Sequence, residues 1–288
     1  MNLNLALPKA TDVLVSPDNY TILRKIGVEA YRFHPDVGDE LKLLVVDFET
    51  TGFEAGVDEA IEIGLTLVSY SPSFKRLTAI LENYQAFECP VKPITEETTK
   101  ITGITQEMVN DHSFDEKKVK SLALQAQFLV AHNAKFDRPF WDHRFPALSN
   151  LRWACSSAGI DWYSKHFSSR ALEFLAMKHN FTYDAHRAAS DTVATAVILA
   201  QGSNFAELHQ SLERTSVHVL AYGSPFECKD KLKARKYDWM LGQDKVWHKV
   251  INESELESER RWLDELYRDG SEHAAYRLIS AYERFKKE

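Results

Sequence analysis

The sequence lacks the features that direct a protein into a membrane or out of the cell. Its first residues, MNLNLALPKATD, hold no basic stretch followed by an apolar one. No later run approaches the roughly 18 apolar residues that a membrane helix needs, and the chain has no internal repeat or low-complexity tract. We therefore expect a folded protein that is not exported and has no membrane partner.

Cysteine is scarce. Cys89, Cys155 and Cys228 form no CxxC pair, and three residues cannot all pair with one another. Unpaired thiols are usual where glutathione keeps them reduced. A cytoplasmic location is therefore predicted.

Positive charge is also in deficit. The 288 residues include 35 Lys and Arg against 42 Asp and Glu, a net charge of −7 at pH 7. The chain has no overall positive field to attract a polyanion. If nucleic acid is a partner, bound cations or a local basic patch must hold it.

The pattern along the chain predicts an α/β protein with two domains and an N-terminal helical appendage. The appendage covers residues 1–40, since Tyr20, Leu23 and Ile26 follow Ser16-Pro17 at helical spacing.

The first domain is predicted over residues 41–205, where branched apolar runs alternate with helical patterns. Three strands come first, and one more strand follows among the helices. The predicted strands are 41–49, 61–70, a stretch through 87–91, and 128–132, and the predicted helices are 105–110, 115–126, one within 169–179, and 188–201.

The second domain is predicted over residues 214–288 as a small α+β module. It has a strand in VHVLAY, a basic helix in ECKDKLKARK and two short aromatic strands around Gly242. Ser254 and Glu257 have the spacing of a capping box for a further helix.

Two carboxylates stand at the end of the first strand, in VVDFETTG. Because side chains alternate along a strand, Asp47 and Glu49 share one face, with Cα atoms about 6 to 7 Å apart. Two like charges so close repel each other unless a proton or a cation lies between them. An isolated D-x-E more often caps a helix or pairs with an arginine.

Two further acidic stretches favour a shared site over an isolated D-x-E. HNAKFDRPF carries Asp137 and AHRAASD carries Asp191, each after a predicted strand or loop and close to a helix start. Over residues 41–201 the three stretches closely resemble the DEDDh family, the DnaQ-like and RNase H-like 3′–5′ exonucleases that include the proofreading epsilon subunits of bacterial DNA polymerase III. Their motifs are filled by D-x-E at Asp47 and Glu49, H-N-x-x-F-D at Asp137, and H-x4-D at His186 and Asp191.

The resemblance implies an RNase H-like mixed sheet flanked by helices and a two-metal-ion nuclease. Four hard oxygen donors, Asp47, Glu49, Asp137 and Asp191, would hold two Mg²⁺ or Mn²⁺ ions around a scissile phosphate. His186 would be the general base, reaching the site from the loop before the helix of Asp191, because five residues span about 500° of helix.

By the same resemblance, the terminal nucleotide would contact the residues after the first motif and the start of the second. These are Thr50, Thr51, Gly52, Phe53 and Asn133. The implied substrate is a single-stranded 3′ end, with DNA favoured over RNA, and the implied partner is a polymerase or repair protein.

Other interpretations remain open at this stage. His132, Asp137, His186 and Asp191 could form a zinc site, although that leaves Asp47 and Glu49 unexplained. The domain could instead be a non-catalytic accessory or binding protein for a replication or repair partner, and RNA could be the substrate.

The second domain suggests a nucleic-acid contact, because basic groups beside exposed aromatic rings are how single strands are held. The candidate residues are Lys231, Lys233, Arg235, Trp239 and Trp247. The competing interpretation is that the aromatic rings form the core of a small domain and the lysines its solvated surface.

Overall fold

The structure is a computed structural model, and it describes residues 21–240 and 245–287. The strands are β1 (Arg24–Lys25), β2 (Leu41–Thr50), β3 (Ala60–Ser71), β4 (Arg76–Phe87), β5 (Leu129–Ala131), β6 (Trp153–Cys155), β7 (Phe181–Thr182), β8 (Ser216–Leu220), β9 (Asp238–Trp239), β10 (Trp247–Asn252) and β11 (Ala275–Ile279). The helices are α1 (Glu96–Thr102), α2 (Gln106–Val109), α3 (Glu116–Ala123), α4 (Ala134–Arg144), α5 (Ser156–Gly159), α6 (Leu172–Lys178), α7 (Ala188–Leu199), α8 (Asn204–Glu213), α9 (Lys229–Ala234), α10 (Leu256–Leu266) and α11 (Gly270–His273).

The main domain is built on a five-stranded mixed sheet in the order β4-β3-β2-β5-β6. The β2–β3 and β3–β4 pairs are antiparallel, and the β2–β5 and β5–β6 pairs are parallel. Helices cover both faces of the sheet. This architecture confirms the predicted α/β class with a mixed sheet.

The two faces of β2 explain where the acidic motif points. Leu43 and Val45 join the core that contains α6, α7 and α8, whereas Leu44, Val46 and Phe48 join the core that contains α3 and α4. The alternation continues to the end of the strand. Asp47 and Glu49 therefore lie on the face that α7 covers.

The C-terminal residues form a second, smaller sheet in the order β11-β8-β10-β9, with every pair antiparallel. Its apolar side packs against α9 and α10 through Leu232 and Leu263, both fully buried. This is the small α+β unit predicted from the sequence.

The chain after β11 returns to the main domain. The Ala281 carbonyl accepts a hydrogen bond from the Trp153 backbone N–H at 2.8 Å. The fully buried Arg138 donates to the carbonyls of Tyr282 and Arg284 at 2.6 and 2.7 Å. These bonds fix the last described residues against α4 and β6.

Three local predictions are wrong. The strand predicted through 87–91 runs instead over Arg76–Phe87 and ends at Phe87. Leu23 and Ile26 are not helical, because Arg24 and Lys25 form β1, which pairs with β7 and buries Ile26 in the core; Ser16, Pro17 and Tyr20 lie outside the described residues. The capping box joins Asn252 and Glu255 instead of Ser254 and Glu257.

The elements that were not predicted are α1, α5, α8, α11, β1, β6, β7 and β11. In the described ranges, the helices are all too short or too polar to cross a membrane.

Candidate active site

The first two carboxylates lie where β2 ends. Asp47 pairs across the sheet with Gly64, and Glu49 with Glu62, and the register shifts between Glu49 and Thr50. Asp47 and Glu49 are half-buried. The irregular register ends the strand directly after the two acids, and residues that follow turn away from the sheet.

Asp191 reaches the same place from the first turn of α7. Its Oδ2 accepts from the Arg187 backbone N–H at 3.1 Å and its Oδ1 from the Tyr183 hydroxyl at 3.0 Å. Asp47, Glu49 and Asp191 each offer a carboxylate oxygen within 4.8 Å of the other two. This is the spacing of a group of oxygen ligands around a cation.

Asp137 stands beside this group, in the first turn of α4. Only 2% of Asp137 is exposed, and its Oδ1 accepts from the Phe48 backbone N–H at 3.2 Å. Phe48 lies between Asp47 and Glu49 in the chain, so the hydrogen bond places Asp137 at the end of β2. Asp137 is not among the three carboxylates that lie within 4.8 Å of one another.

The electrostatics of the four acids show one interacting cluster. Burial, followed by the charges of Asp137, Asp191 and Glu49, raises the pKa of Asp47 well above its usual range. Burial is also the first cause that raises the pKa of Glu49 and of Asp137 to about 8. Protons or cations must therefore neutralise the cluster at neutral pH.

Asp191 is the most acidic member of the cluster. Burial raises its pKa to about 6, while the hydrogen bonds from Tyr183 and Arg187 and the charge of His186 act in the opposite direction. Asp191 is therefore the member of the cluster that is ionised most readily when no cation is bound.

His186 lies on the loop before α7, as predicted, and is exposed. Its charge lowers the pKa of Asp191, which lies five residues further along the chain. The backbone of His186 has φ of 59°, a left-handed conformation that is uncommon for residues other than glycine. Strain of this kind persists only where the surroundings hold it in place.

An ion pair between the buried Glu62 and the partly exposed Arg187, which the sequence did not reveal, holds this loop. Glu62 is fully buried, and Arg187 donates to its Oε1 from Nε at 3.2 Å and from Nη2 at 3.0 Å. The Ala188 backbone N–H donates to Glu62 at 3.3 Å, and the Gln85 amide donates to it as well. Glu62 thus fastens the residue after His186 and the start of α7 to β3.

The predicted nucleotide contacts surround the end of β2. The Thr51 hydroxyl accepts from the Glu59 N–H at 3.0 Å, and a Cβ on Gly52 would lie 2.5 Å from the Asp58 carboxyl group. Thr50 is buried, whereas 86% of Phe53 is exposed. Phe53 is therefore the member of this set with a free apolar surface.

Asn133 and His132 stand at the start of α4. Asn133 is the N-cap residue, but its exposed side chain makes no capping hydrogen bond. The two ring nitrogens of His132 lie 2.8 Å from the Ser156 hydroxyl and 2.7 Å from the Arg170 carbonyl. Since both nitrogens are occupied, the structure does not support the zinc alternative.

The candidate nucleic-acid contacts of the C-terminal module differ in how far their side chains are exposed. Arg235 is bound to the buried Glu259 at 3.0 Å, and the half-buried Trp247 packs edge-on against Trp239. Lys231 and Lys233 are exposed on α9, as is 46% of Trp239. The exposed members remain a predicted nucleic-acid contact.

The chain is similar to known exonucleases and DNA polymerases. A family model described as RNase_T, Exonuclease, matches residues 44–199, more than half of the chain. The DNA polymerase III PolC-type of Thermotoga maritima is 32% identical over 170 residues, which are 54% of this chain and 11% of that protein. The PolC-type polymerase of Bacillus subtilis is 27% identical over 220 residues, 68% of this chain and 15% of that protein.

The chain thus spans between 11% and 15% of the length of these curated relatives. Among solved structures, exonuclease X in complex with 5′ overhanging duplex DNA is 21% identical, with a TM-score of 0.44 over 59% of this chain and 98% of that chain. On the family match, and as the motifs predict, the chain belongs to the RNase T-type exonuclease family, the DnaQ-like DEDDh 3′–5′ exonucleases.

Proposed function

We propose that this protein hydrolyses phosphodiester bonds at the 3′ ends of nucleic acid, preferring DNA, and releases nucleoside 5′-monophosphates. The observation that carries the proposal is the grouping of Asp47, Glu49 and Asp191, whose oxygens lie within 4.8 Å of one another. Membership of the exonuclease family supports the reaction. Residues 41–205 would be the catalytic unit and residues 214–288 an accessory module.

The donor set fits hard divalent cations. The proposed ligands are all carboxylates. Arg187 lowers the pKa of Glu49, but this arginine is already paired with Glu62. We propose two Mg²⁺ or Mn²⁺ ions, with Asp137 as a further ligand; when bound, they would polarise the phosphodiester and activate a water molecule.

The chain's own residues supply the rest of the chemistry. His186 is exposed beside the cluster and would accept the proton from the attacking water. Phe53 offers a free ring to the terminal base, and the Asn133 side chain is free at the start of α4. The Glu62–Arg187 pair would keep His186 in place.

The choice of DNA follows the relatives, which are named DNA polymerase III. A polymerase or a repair protein is the proposed partner for the same reason. The three cysteines are all free thiols, which supports a cytoplasmic site of action.

The test is digestion of 5′-labelled oligonucleotides of one sequence, offered as single-stranded DNA, as duplex DNA with a mismatched 3′ end, and as RNA. We expect shortening from the 3′ end in Mg²⁺, fastest on DNA, none in EDTA, and at least about 10³-fold less with Asp47→Asn. The exposed Asp230→Asn on α9 is the matched control and should digest normally.

Cleavage that continues in EDTA would exclude the proposed mechanism. A protein that binds oligonucleotides but does not shorten them in any metal would favour the accessory role instead.

A further inference from the structure

A cavity of about 940 Å³ separates the α/β domain from the C-terminal module. This volume is near the upper end of the roughly 300–1,000 Å³ common for ligand sites. One wall contains the loop after β2, the start of α4, and α5; the other contains β10 and the residues that follow β11. We call it the interdomain groove.

The interdomain groove is basic on a chain that is acidic overall. Two acidic residues line it, Glu54 and Glu283, and Glu54 is paired with Lys287 at 2.9 Å. The basic residues that line it are Lys135, Arg214, Arg284, Lys286 and Lys287. With a net charge of −7 on the whole molecule, this local excess is the basic patch that a polyanion would require.

Arg284 is the most informative of these residues. Its Nη1 donates to the Ser211 carbonyl at 2.6 Å, but its Nε and Nη2 are buried without a hydrogen-bond partner in the described structure. Burial, and then the charges of Arg152 and Arg214, lower the pKa of Arg284. Buried guanidinium N–H groups are seldom left unpaired, so these two donors of Arg284 have capacity for an acceptor.

The groove reaches Phe53, one of the predicted nucleotide contacts that follow the first acidic motif. Phe53 and Phe136 line it, with ring centroids 6.4 Å apart in an edge-to-face arrangement. Phe136 directly precedes Asp137 in the first turn of α4, and Lys135 and Pro139 of the same helix also line the groove. One helix therefore presents Asp137 to the carboxylates and its neighbouring residues to the groove.

We infer that the interdomain groove holds the single strand upstream of the 3′-terminal nucleotide, with a backbone phosphate on Arg284 and Arg214. This inference rests on the proposed function. It assigns the C-terminal module a part in substrate binding: β10 and the residues after β11 complete a track that the α/β domain alone leaves open on one side. Phosphates accept hydrogen bonds from the unpaired Nε and Nη2 of Arg284, and bases stack near the exposed ring of Phe53.

The experiment compares a thymidine dinucleotide with a ten-nucleotide oligothymidylate on the full-length protein. The variants are Arg284→Gln, the conservative Arg284→Lys, and Arg214→Gln, which is exposed and should not disturb folding. Lys120→Gln, on the exposed face of α3 and outside the groove, is the matched control. The measurements are kcat/KM in Mg²⁺ and the salt dependence of decamer binding in Ca²⁺, followed by fluorescence anisotropy.

We expect Arg284→Gln and Arg214→Gln to lower kcat/KM on the decamer about tenfold while changing it less than about twofold on the dinucleotide. The slope of log Kd against log salt should fall by about 0.7 for each lost phosphate contact. Arg284→Lys should recover part of the loss, and Lys120→Gln should bind as the wild type does.

Decamer kinetics and binding equal to those of the wild type in both arginine variants would overturn the inference. An equal loss on both substrates would do so too, as would a loss confined to Lys120→Gln. In each of these cases the wild type still digests both oligonucleotides, so the proposed function stands. A wild-type protein that digests neither would instead refute the proposed function.

Discussion

At the scale of single residues, the buried Glu62 holds the backbone that carries the exposed His186. Glu62 binds the Arg187 guanidinium and the Ala188 N–H, and so fixes the two residues that follow His186. The left-handed backbone of His186, with φ of 59°, needs such an anchor. We regard Glu62 as a positioning residue, because its hydrogen bonds within the described residues are with Arg187, Ala188 and Gln85 and none is with another acid. It is also the register partner of Glu49, and its charge raises the pKa of Asp47 and Glu49.

Replacement of Glu62 by glutamine should therefore damage catalysis through His186. We expect Glu62→Gln to lower kcat about 10- to 100-fold with little change in KM, because the general base is no longer held in position. In an His186→Ala background the same replacement should cause no further loss. Steady-state kinetics of the two single variants and the double variant measure this coupling.

Glu259→Gln is the matched control for removing a buried, paired carboxylate. Glu259 is 2% exposed and pairs with Arg235 in the C-terminal module, so its loss should lower the melting temperature but leave kcat on a dinucleotide unchanged. Equal losses of kcat from Glu62→Gln with and without His186 would show that Glu62 does not act through the histidine.

The contrast between the motif residues and Glu62 shows what the sequence reveals at this scale. The acids and His186 are recognisable because each stands in a short stretch with fixed neighbours. Glu62 and Arg187 are 125 residues apart, and neither has a local partner that would mark it. Only the packing of α7 on β3 brings them together.

At the scale of elements, the contact between β3 and α7 sets the geometry of the site. Gly64 is the register partner of Asp47, and a Cβ on Gly64 would lie 2.2 Å from the Ala188 carbonyl group. The obstacle is backbone at the start of α7, which cannot rotate away. The close approach places Asp191 opposite the acids of β2.

Gly64→Ala should consequently push α7 away from the sheet. We expect a loss of about 1–3 kcal/mol in the free energy of unfolding, together with weaker Mn²⁺ binding, because Asp191 moves with the helix. Denaturant unfolding and calorimetry measure the two effects.

Gly159→Ala provides the comparison, since its Cβ would lie 2.6 Å from the Ser211 hydroxyl, a side-chain atom that can rotate. It should be the milder change. If Gly64→Ala binds Mn²⁺ as the wild type does, the β3–α7 contact does not set the metal site.

The elements were predictable where their pattern is long and regular. The branched runs of β2 and β3 and the apolar α7 were predicted near their observed bounds. β6 has three residues, too few for a recognisable period, and β11 shows no clear alternation of burial. The helical spacing of Leu23 and Ile26 gave a wrong prediction, because the pairing of β1 with β7 outweighs the local preference for a helix.

At the scale of the whole molecule, the acidic cluster links folding to pH and to metal. Glu49 and Asp137 have pKa values raised to about 8 and Asp191 has one raised to about 6, against about 4 in an unfolded chain. A raised pKa means that the folded state binds the proton more tightly. The stabilisation is complete below about pH 4 and is lost as the pH rises through about 6 and about 8.

The metal-free wild type should therefore lose stability between pH 5 and pH 8 relative to a variant that lacks the charges. We expect the double variant Asp47→Asn, Glu49→Gln to melt several degrees higher than the wild type at pH 8 in EDTA, with a smaller difference at pH 5. Mg²⁺ at pH 8 should raise the melting temperature of the wild type only. Calorimetric scans test this, and a difference that does not change with pH would contradict it.

The central claim is that Asp47, Glu49 and Asp191 gather to hold a divalent cation, and a Mn²⁺ titration by isothermal calorimetry at pH 8 tests it most directly. The account predicts saturable binding by the wild type and by Asp230→Asn, with affinity reduced at least about tenfold in Asp47→Asn and in Asp191→Asn. Binding of Mn²⁺ by these two variants with wild-type affinity would contradict it.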